Sequence, residues 1–348
     1  MRIHIMGRHA HRTPFAYEPY KRLFRQRFDY VDTPEKADVI LFGYVLNIDE
    51  NAEELARLVK ANPALRLVVV SEEPLWDTTN SGDFRKRHNI RKTGDHAFAF
   101  SAINHHTSKV YEFRSLPYFL TTEDEYYLRY AYEFGRNAAM APGAFAEIWK
   151  QAGIRYAFFA ENRDLVKKYS IAHPDIETYG LSVYRTDVAK AMPDKGTMRV
   201  GQGWGAKVTR QELPDWHLDK LLTLQGKSYI VSAIENTSQR NYISEKIFDA
   251  YACRGLPLIW APASHRIHEF APAGSCLNLF ELSPADAAKK ITGFKPTAAT
   301  FEAYAEAQAG LYERFRKFDD FLDERIGFYE RLSDELTAIV EEKPAPLP

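Results

Sequence analysis

The sequence predicts an α/β protein with two successive parallel sheets, each covered by helices. Most predicted strands are apolar throughout, as in residues 37–44 and 65–70, and continuous apolar strands are typical of parallel sheets covered on both faces. Predicted strands also alternate with predicted helices along the chain. The 348 residues, 45% of them hydrophobic, are enough for two ordinary domain cores.

The first half of the chain has the pattern of one such sheet. Its predicted elements are a strand at 2–6, a polar turn at 7–13, a helix at 17–28, a strand at 37–44, a helix at 50–62, a strand at 65–70 and shorter strands at 97–100 and 109–113. No G-x-G-x-x-G follows the first strand, so a nicotinamide dinucleotide site is not indicated there.

The second half repeats the alternation. Residues 125–149 contain a Gly-Arg-Asn break, and we place the domain boundary there, with an N-terminal domain at 1–150 and a C-terminal domain at 151–345. The predicted elements are strands at 155–160 and 176–179, helices at 184–192 and 212–223, a glycine-rich turn at 200–205 and helices at 283–291, 300–321 and 325–342. The last helices are expected to be able to pack back on the N-terminal domain.

Composition excludes several protein classes. The chain has 46 Lys and Arg against 47 Asp and Glu, so no strong global field favours nucleic acid. Its two cysteines do not indicate a disulfide framework. The N-terminus is too short and too charged for a signal segment, and no run approaches eighteen apolar residues. We therefore expect a soluble, cytoplasmic protein, with peripheral contact to an inner membrane left open.

The most informative stretch is residues 229–279. An apolar run, 229–234, predicts a strand; a polar turn, 235–241, follows; a helix is expected at 244–254, and Gly255 is expected to stop it before a second strand at 256–260. In a strand-loop-helix-strand unit, ligands bind outside the carboxyl ends of the strands, against the helix N-terminus. The loop and helix start are therefore the expected position of a bound anion.

This stretch also carries a family resemblance. It contains Glu235-Asn236-Thr237, Tyr242-Ile243-Ser244-Glu245-Lys246, Gly255-Leu256-Pro257 and Phe270-Ala271-Pro272 with Gly274-Ser275, in that order. The series resembles the signature of the α1,3/4-fucosyltransferases, glycosyltransferase family 10, and the N-terminal half matches much more weakly. The resemblance implies a GT-B fold, in which two Rossmann-like parallel-sheet domains face a cleft, with C-terminal helices.

The resemblance also implies an activity. An inverting glycosyltransferase would move fucose from GDP-fucose, or a related nucleotide sugar, to a hydroxyl of an oligosaccharide or glycolipid. The soluble character points to a bacterial member. By resemblance the linkage would be α1,3, and the acceptor would be a bacterial surface glycan such as lipopolysaccharide core or O-antigen. Two alternatives remain open, namely the same reaction with another nucleotide sugar, and a non-catalytic nucleotide or glycan binding protein.

The donor side of the reaction is assigned to the signature. Lys246, in the first helical turn, and Arg185, ahead of the glycine-rich turn, are expected to bind the diphosphate, with Lys207 as a rival to Arg185. Glu245 matches a ribose ligand. The remaining donor residues are Asn236 and Tyr242, each a ligand or a packing group, and Glu235, either a sugar ligand or a buried brace.

The general base is expected at the end of the strand at 65–70. Glu72 and Glu73 follow that strand, and Glu73 aligns with the glutamate proposed as base in the family. Two adjacent carboxylates are expected to raise each other's pKa, which favours a base near neutral pH. No D-x-D or metal-ligand spacing is apparent, so no metal cofactor is expected to be required, with stimulation by a divalent cation left open.

Overall fold

The computed structural model describes residues 1–205 and 212–342. The chain divides into two compact units. The first is Met1–Asp124 together with the chain from Leu322 onward, and the second is Glu125–Phe321. The structural division thus falls at residue 124, whereas the sequence placed it at 150. Within the described residues, no helix has both the length and the apolar character required to cross a bilayer.

The first unit is built on a six-stranded sheet with the order β2-β1-β3-β4-β6-β5. Its strands are β1 (Arg2–Ile5), β2 (Asp29–Tyr30), β3 (Val39–Phe42), β4 (Arg66–Val70), β5 (His88–Thr93) and β6 (His96–Ile103). The strand pairs are parallel except β5 and β6, which form an antiparallel pair at one edge. The predicted strand at 109–113 is wrong, because Val110 and Tyr111 are buried in a turn and loop.

Helices cover this sheet on both faces. They are α1 (Glu18–Phe24), α2 (Leu46–Glu50), α3 (Ala52–Ala61), α4 (Pro74–Asn80) and the later residues of α13 (Phe318–Glu341). Phe328, Leu332 and Leu336 of α13 belong to the same buried cluster as Tyr20 and Phe24 of α1. The C-terminal helix therefore completes one face of the N-terminal sheet.

The second unit contains a five-stranded sheet that is parallel throughout, with the order β10-β7-β11-β13-β14. Its strands are β7 (Ile154–Phe159), β10 (Thr197–Val200), β11 (Ser228–Ser232), β13 (Leu256–Ile259) and β14 (Leu277–Asn278). A small antiparallel sheet has the order β12-β9-β8, formed by β8 (Ala172–His173), β9 (Thr178–Gly180) and β12 (Thr237–Ser238). Two α/β units with C-terminal helices confirm the predicted fold class.

The helices of the second unit are α5 (Asp124–Ala138), α6 (Pro142–Gln151), α7 (Val166–Tyr169), α8 (Ser182–Ala191), α9 (Trp216–Leu224), α10 (Glu245–Ala252), α11 (Pro284–Gly293) and α12 (Ala298–Phe315). The central strand-loop-helix-strand unit is confirmed as β11, α10 and β13. After α10 the left-handed residue is Arg254, with φ 62°. Gly255 serves another purpose: an added Cβ would lie 2.5 Å from Val231 Cγ2, so glycine lets the chain approach β11 closely.

Candidate functional site

The loop between β11 and α10 is held together by Glu235. Its Oε1 accepts hydrogen bonds from the backbone N–H of Ser244, at 2.8 Å, and from the Ser244 hydroxyl, at 2.7 Å. Because the Ser244 hydroxyl is used in this way, it does not cap α10, and Ser244 makes no side-chain cap bond. The first N–H groups of the helix therefore keep the partial positive charge that attracts anions.

Lys246 lies at the same helix start. Its Nζ is 2.9 Å from Glu235 Oε2, 2.7 Å from Ser244 Oγ and 3.4 Å from Glu245 Oε1. The Lys246 side chain keeps 16% of its surface exposed, whereas both carboxylates are buried. The ammonium is thus the solvent-facing member of the group, and it is held at a fixed position by two acids.

Asn236 joins this loop to α8. Its backbone oxygen accepts hydrogen bonds from the Leu181 N–H at 2.8 Å and from the Ser182 hydroxyl at 3.5 Å. These residues stand at the start of α8, the helix that carries Arg185. Tyr242 is buried in the same loop, and its N–H donates to the Gln239 oxygen at 2.8 Å. The loop and α8 therefore form one connected structure.

Arg185 is a buried cation with few partners. It is 7% exposed; its Nη1 lies 3.5 Å from the Ile234 oxygen, and its Nε has no hydrogen-bond partner. Burial lowers the pKa of Arg185 to about 10, with a further contribution from the Arg163 charge, while Glu235 and Tyr242 act in the opposite direction. Arg185 therefore lies within electrostatic range of the signature residues, although about fifty residues separate it from them in the sequence.

A small pocket opens beside Arg185. Its lining residues come from the carboxyl ends of neighbouring strands and from α8, and they are Phe158, Ala160, Glu161, Arg185, Thr186, Ala189, Trp204 and Ser232. Trp204 also donates from Nε1 to the Ala160 oxygen at 2.8 Å. Lys207, the rival phosphate ligand, lies outside the described residues.

A second buried cluster underlies α10, and sequence reasoning missed it. His217, Glu245 and Asp249 bring possible ligand atoms within 4.8 Å of one another. Each carboxylate already faces an ammonium, since Asp249 Oδ2 is 3.0 Å from Lys220 Nζ and Glu245 is paired with Lys246. Burial alone would raise the pKa of Asp249, but Lys220 and His217 outweigh it and lower that pKa. The i,i+4 spacing of Glu245 and Asp249 was the one available signal.

In the first unit, Glu72 and Glu73 follow β4 at the carboxyl edge of the sheet, and they have different surroundings. Glu72 is buried, and its two oxygens accept hydrogen bonds from the hydroxyls of Tyr17, at 2.6 Å, and Tyr118, at 2.9 Å. Glu73 keeps 15% of its side chain exposed and is ion-paired with Arg12.

Arg12 is a residue that sequence reasoning missed. Its Nη2 also lies 3.3 Å from Glu72 Oε1, so one guanidinium contacts both acids. The sequence suggested two adjacent carboxylates with no cation to balance them. In the structure, Arg12 balances the pair. Arg12 follows β1, and the carboxyl ends of β1 and β4 lie at the same edge of a parallel sheet. That shared edge was the only signal by which Arg12 could have been found.

Comparison with known proteins adds the following findings. Residues 179–313 match the family model described as glycosyltransferase family 10 (fucosyltransferase), C-terminal. A crystal structure of an α1,3-fucosyltransferase with GDP is similar at 14% identity and a TM-score of 0.45, covering 95% of this chain and 90% of that chain. One with GDP-fucose is similar at 12% identity and a TM-score of 0.41, covering 99% and 91%. Among curated proteins, no sequence matches this chain significantly.

The matched segment contains α8, the loop after β11 and α10, and therefore all six residues assigned to the donor side. The resemblance that the motifs indicate is thus confirmed for this part of the chain. Residues 179–313 of the C-terminal unit match the C-terminal domain of the glycosyltransferase family 10 fucosyltransferases, and this match identifies the protein as a glycosyltransferase.

Proposed function

We propose that this protein is an inverting fucosyltransferase that uses GDP-fucose as donor. The observation that carries the proposal is the state of Arg185, a buried guanidinium with an unbonded Nε, next to a pocket and in electrostatic range of the signature loop. A buried cation with incomplete hydrogen bonding is costly unless an anion completes it. A diphosphate supplies that charge and accepts from the guanidinium fork.

Each donor residue receives a role on this proposal. Arg185, Lys246 and the uncapped N-terminus of α10 bind the diphosphate. Glu245 accepts from the ribose hydroxyls, and Asn236 and Tyr242 contact the nucleotide sugar. Glu235, bonded to Ser244 and Lys246, acts as the brace that holds the loop in shape.

The base is assigned to Glu73, with Glu72 as its support. The acceptor oxygen forms a bond to C1 of fucose while the bond from C1 to the diphosphate oxygen breaks, and Glu73 takes the proton of the acceptor hydroxyl. One contrast between the two acids supports this division. Glu72 is buried and bonded by two tyrosines, whereas Glu73 remains partly exposed. Inversion at C1 follows from a single displacement.

We further propose that transfer requires no metal cofactor. The His217, Glu245 and Asp249 cluster contains suitable ligand atoms, but Lys220 and Lys246 already neutralise its two carboxylates. A divalent cation would have to displace a buried ammonium, so the cluster does not fit a resident metal. Activity measured in the presence of a chelator tests this point, and any stimulation by added Mn²⁺ or Mg²⁺ appears in the same assay.

The acceptor class is the most specific part of the proposal. An α1,3 linkage to a bacterial surface glycan, of the lipopolysaccharide core or O-antigen type, rests on the motif resemblance. Synthesis of such a glycan would place the enzyme in the cytoplasm, next to the inner membrane. An array of oligosaccharide and glycolipid acceptors incubated with GDP-fucose identifies the acceptor hydroxyl.

A thermal-shift panel of nucleoside diphosphates and their sugars tests the donor. A ligand at one hundred times its dissociation constant stabilises a protein by about 2.7 kcal/mol, which is readily measured. Guanosine compounds are expected to raise the melting temperature, and uridine and adenosine compounds are not. A preference for uridine or thymidine compounds would mean that the donor is a different nucleotide sugar. Binding without transfer to any acceptor would favour a non-catalytic binding protein.

A further inference from the structure

Arg163, which no motif singled out, lies beside Arg185. Its backbone N–H donates to the hydroxyl of Thr186 at 3.0 Å, and Thr186 is the residue after Arg185. The same hydroxyl donates to the Ser182 oxygen at 2.9 Å, within α8. The loop after β7 is thus attached to α8 at the position where Arg185 projects.

The Arg163 guanidinium contacts Glu161 and Tyr169. Its Nε and Nη2 lie 2.9 and 2.7 Å from a single oxygen, Oε2 of Glu161, and the group lies over the Tyr169 ring with its central carbon 4.8 Å from the ring centroid. Glu161 and Arg185 line the same pocket. The Glu161 side chain is 40% exposed and the Arg163 side chain 17% exposed. A partly exposed ion pair of this kind contributes little to stability, so an anion of higher charge can replace it.

The loop after β7 is also rigid. The Asn162 N–H donates to the Gln202 oxygen at 2.8 Å, and Asn162 Nδ2 donates to the Gly203 oxygen at 3.0 Å. Gly201, at φ 139°, allows this close contact, since a Cβ there would lie 2.5 Å from the Ala160 oxygen. Because the two loops are bonded together, Arg163 is positioned before any ligand arrives, which reduces the entropy lost on binding.

Arg185 therefore lines the pocket itself, and the Arg163 guanidinium is connected to the pocket through Glu161, whose carboxylate offsets part of the positive charge. Their mutual repulsion is the second largest contribution, after burial, to the lowered pKa of Arg185. Like charges that are held near each other form a site for a multiply charged anion.

We infer that Arg163 is a second arginine of the donor site, which binds the diphosphate together with Arg185 and exchanges Glu161 for a phosphate oxygen. The inference rests on the proposed use of a nucleoside diphosphate sugar and adds a ligand that the motifs do not contain. It also assigns Glu161 a role, since this carboxylate holds Arg163 in place while the site is empty and competes with the incoming phosphate.

The experiment measures the affinity of the full-length protein for inorganic pyrophosphate, GDP and guanosine by calorimetry. We expect Arg163→Gln to lower the affinity for pyrophosphate and GDP by about 10- to 100-fold, because charge-assisted hydrogen bonds are lost. The affinity for guanosine should stay the same. Glu161→Gln should have the opposite effect and strengthen pyrophosphate, because it removes the competing charge. Opposite signs from two neighbouring residues cannot arise from a folding defect.

Arg155→Gln is the matched control. Arg155 stands at the other end of β7 and lies over Tyr229 at 4.3 Å, much as Arg163 lies over Tyr169. It should bind pyrophosphate like the wild type. Unchanged pyrophosphate affinity in Arg163→Gln, or a wild type that does not bind pyrophosphate, overturns the inference. A different outcome is that the two variants change pyrophosphate affinity in opposite directions as expected while guanosine nucleotides bind no better than other nucleotides. In that case the inference stands and the GDP-fucose proposal fails.

Discussion

Lys246 Nζ lies 2.9 Å from Glu235 Oε2, and the other oxygen of Glu235 accepts two hydrogen bonds from Ser244. One carboxylate thus fixes both the start of α10 and the cation beside it. The sequence left two roles open for Glu235, a sugar ligand or a brace, and these contacts support the brace. The proposed donor site therefore depends on an acid that has no need to touch the donor.

Glu235→Gln should lower stability, since the amide cannot pair with the ammonium of Lys246 and presents one acceptor where the carboxylate has two. We expect a loss of about 1–3 kcal/mol in the free energy of unfolding, measured by urea denaturation. Glu313→Gln is the control, because Glu313 forms an exposed pair with Arg316 at 2.8 Å, and such pairs contribute about 0–1 kcal/mol. Equal losses of unfolding free energy in both variants would contradict the bracing role of Glu235.

Lys246→Ala should lower the affinity for GDP by about 10- to 100-fold while the affinity for guanosine stays the same, because the lost contact is to phosphate. Calorimetric titration with both ligands measures the difference. Lys289→Ala, at a lysine that keeps 78% of its side chain exposed, serves as the control and should bind both ligands normally. A parallel loss of guanosine and GDP affinity in Lys246→Ala would point to a damaged loop.

Arg185→Met should abolish most GDP binding and raise the melting temperature. Removing a buried, incompletely bonded cation relieves a desolvation penalty, and apolar replacement of buried charges is neutral or stabilising by about 1–4 kcal/mol. Differential scanning calorimetry without ligand measures the change.

Arg199→Met provides the contrast for Arg185→Met. Arg199 donates at 2.8, 2.7 and 3.0 Å to Ala189, Met192 and Asp194, so its loss should lower the melting temperature. If Arg185→Met destabilises the protein as much as Arg199→Met does, Arg185 is a structural residue and the donor assignment loses its main support.

Glu73→Gln should reduce the rate of transfer by about 10²- to 10⁴-fold, the contribution of a positioned base, with the melting temperature and GDP affinity retained. Glu72→Gln should lower the melting temperature as well, because Tyr17 and Tyr118 lose a charged acceptor. Single-turnover kinetics with GDP-fucose and an identified acceptor measure the first effect. Full activity in Glu73→Gln together with inactive, folded Glu72→Gln would exchange the two roles.

Asp77 should make stability depend on pH. Burial raises the pKa of this carboxyl from 3.8 to about 7, so between those values the folded protein holds a proton that the unfolded chain has lost. The Asp77 contribution is therefore present below pH 4 and is lost as the pH rises through about 7, by up to about 4 kcal/mol. Asp77→Asn should become progressively more stable than the wild type over this range in urea titrations. A constant difference between the two proteins would mean that Asp77 ionises normally.

Much of the fold and the core of the candidate donor site followed from local sequence. Asn236, Tyr242, Glu245 and Lys246 lie within eleven consecutive residues. The strand, turn and helix that hold them form from nearest-neighbour periodicity, so their common position at the carboxyl end of β11 required no long-range information. The alternation of apolar strands with helices likewise predicted both parallel sheets.

Tertiary packing decided which charges meet. Arg12 contacts the acids after β4, Arg163 lies close enough to Arg185 to lower its pKa, and Lys220 neutralises Asp249 across two helices. These pairs join residues from separate strands and helices, and no spacing rule specifies which side chains approach once the sheets are covered. The sequence by itself determined where the candidate donor loop lies. Only the folded chain determined which charges are balanced, because burial and partner choice depend on distances in space.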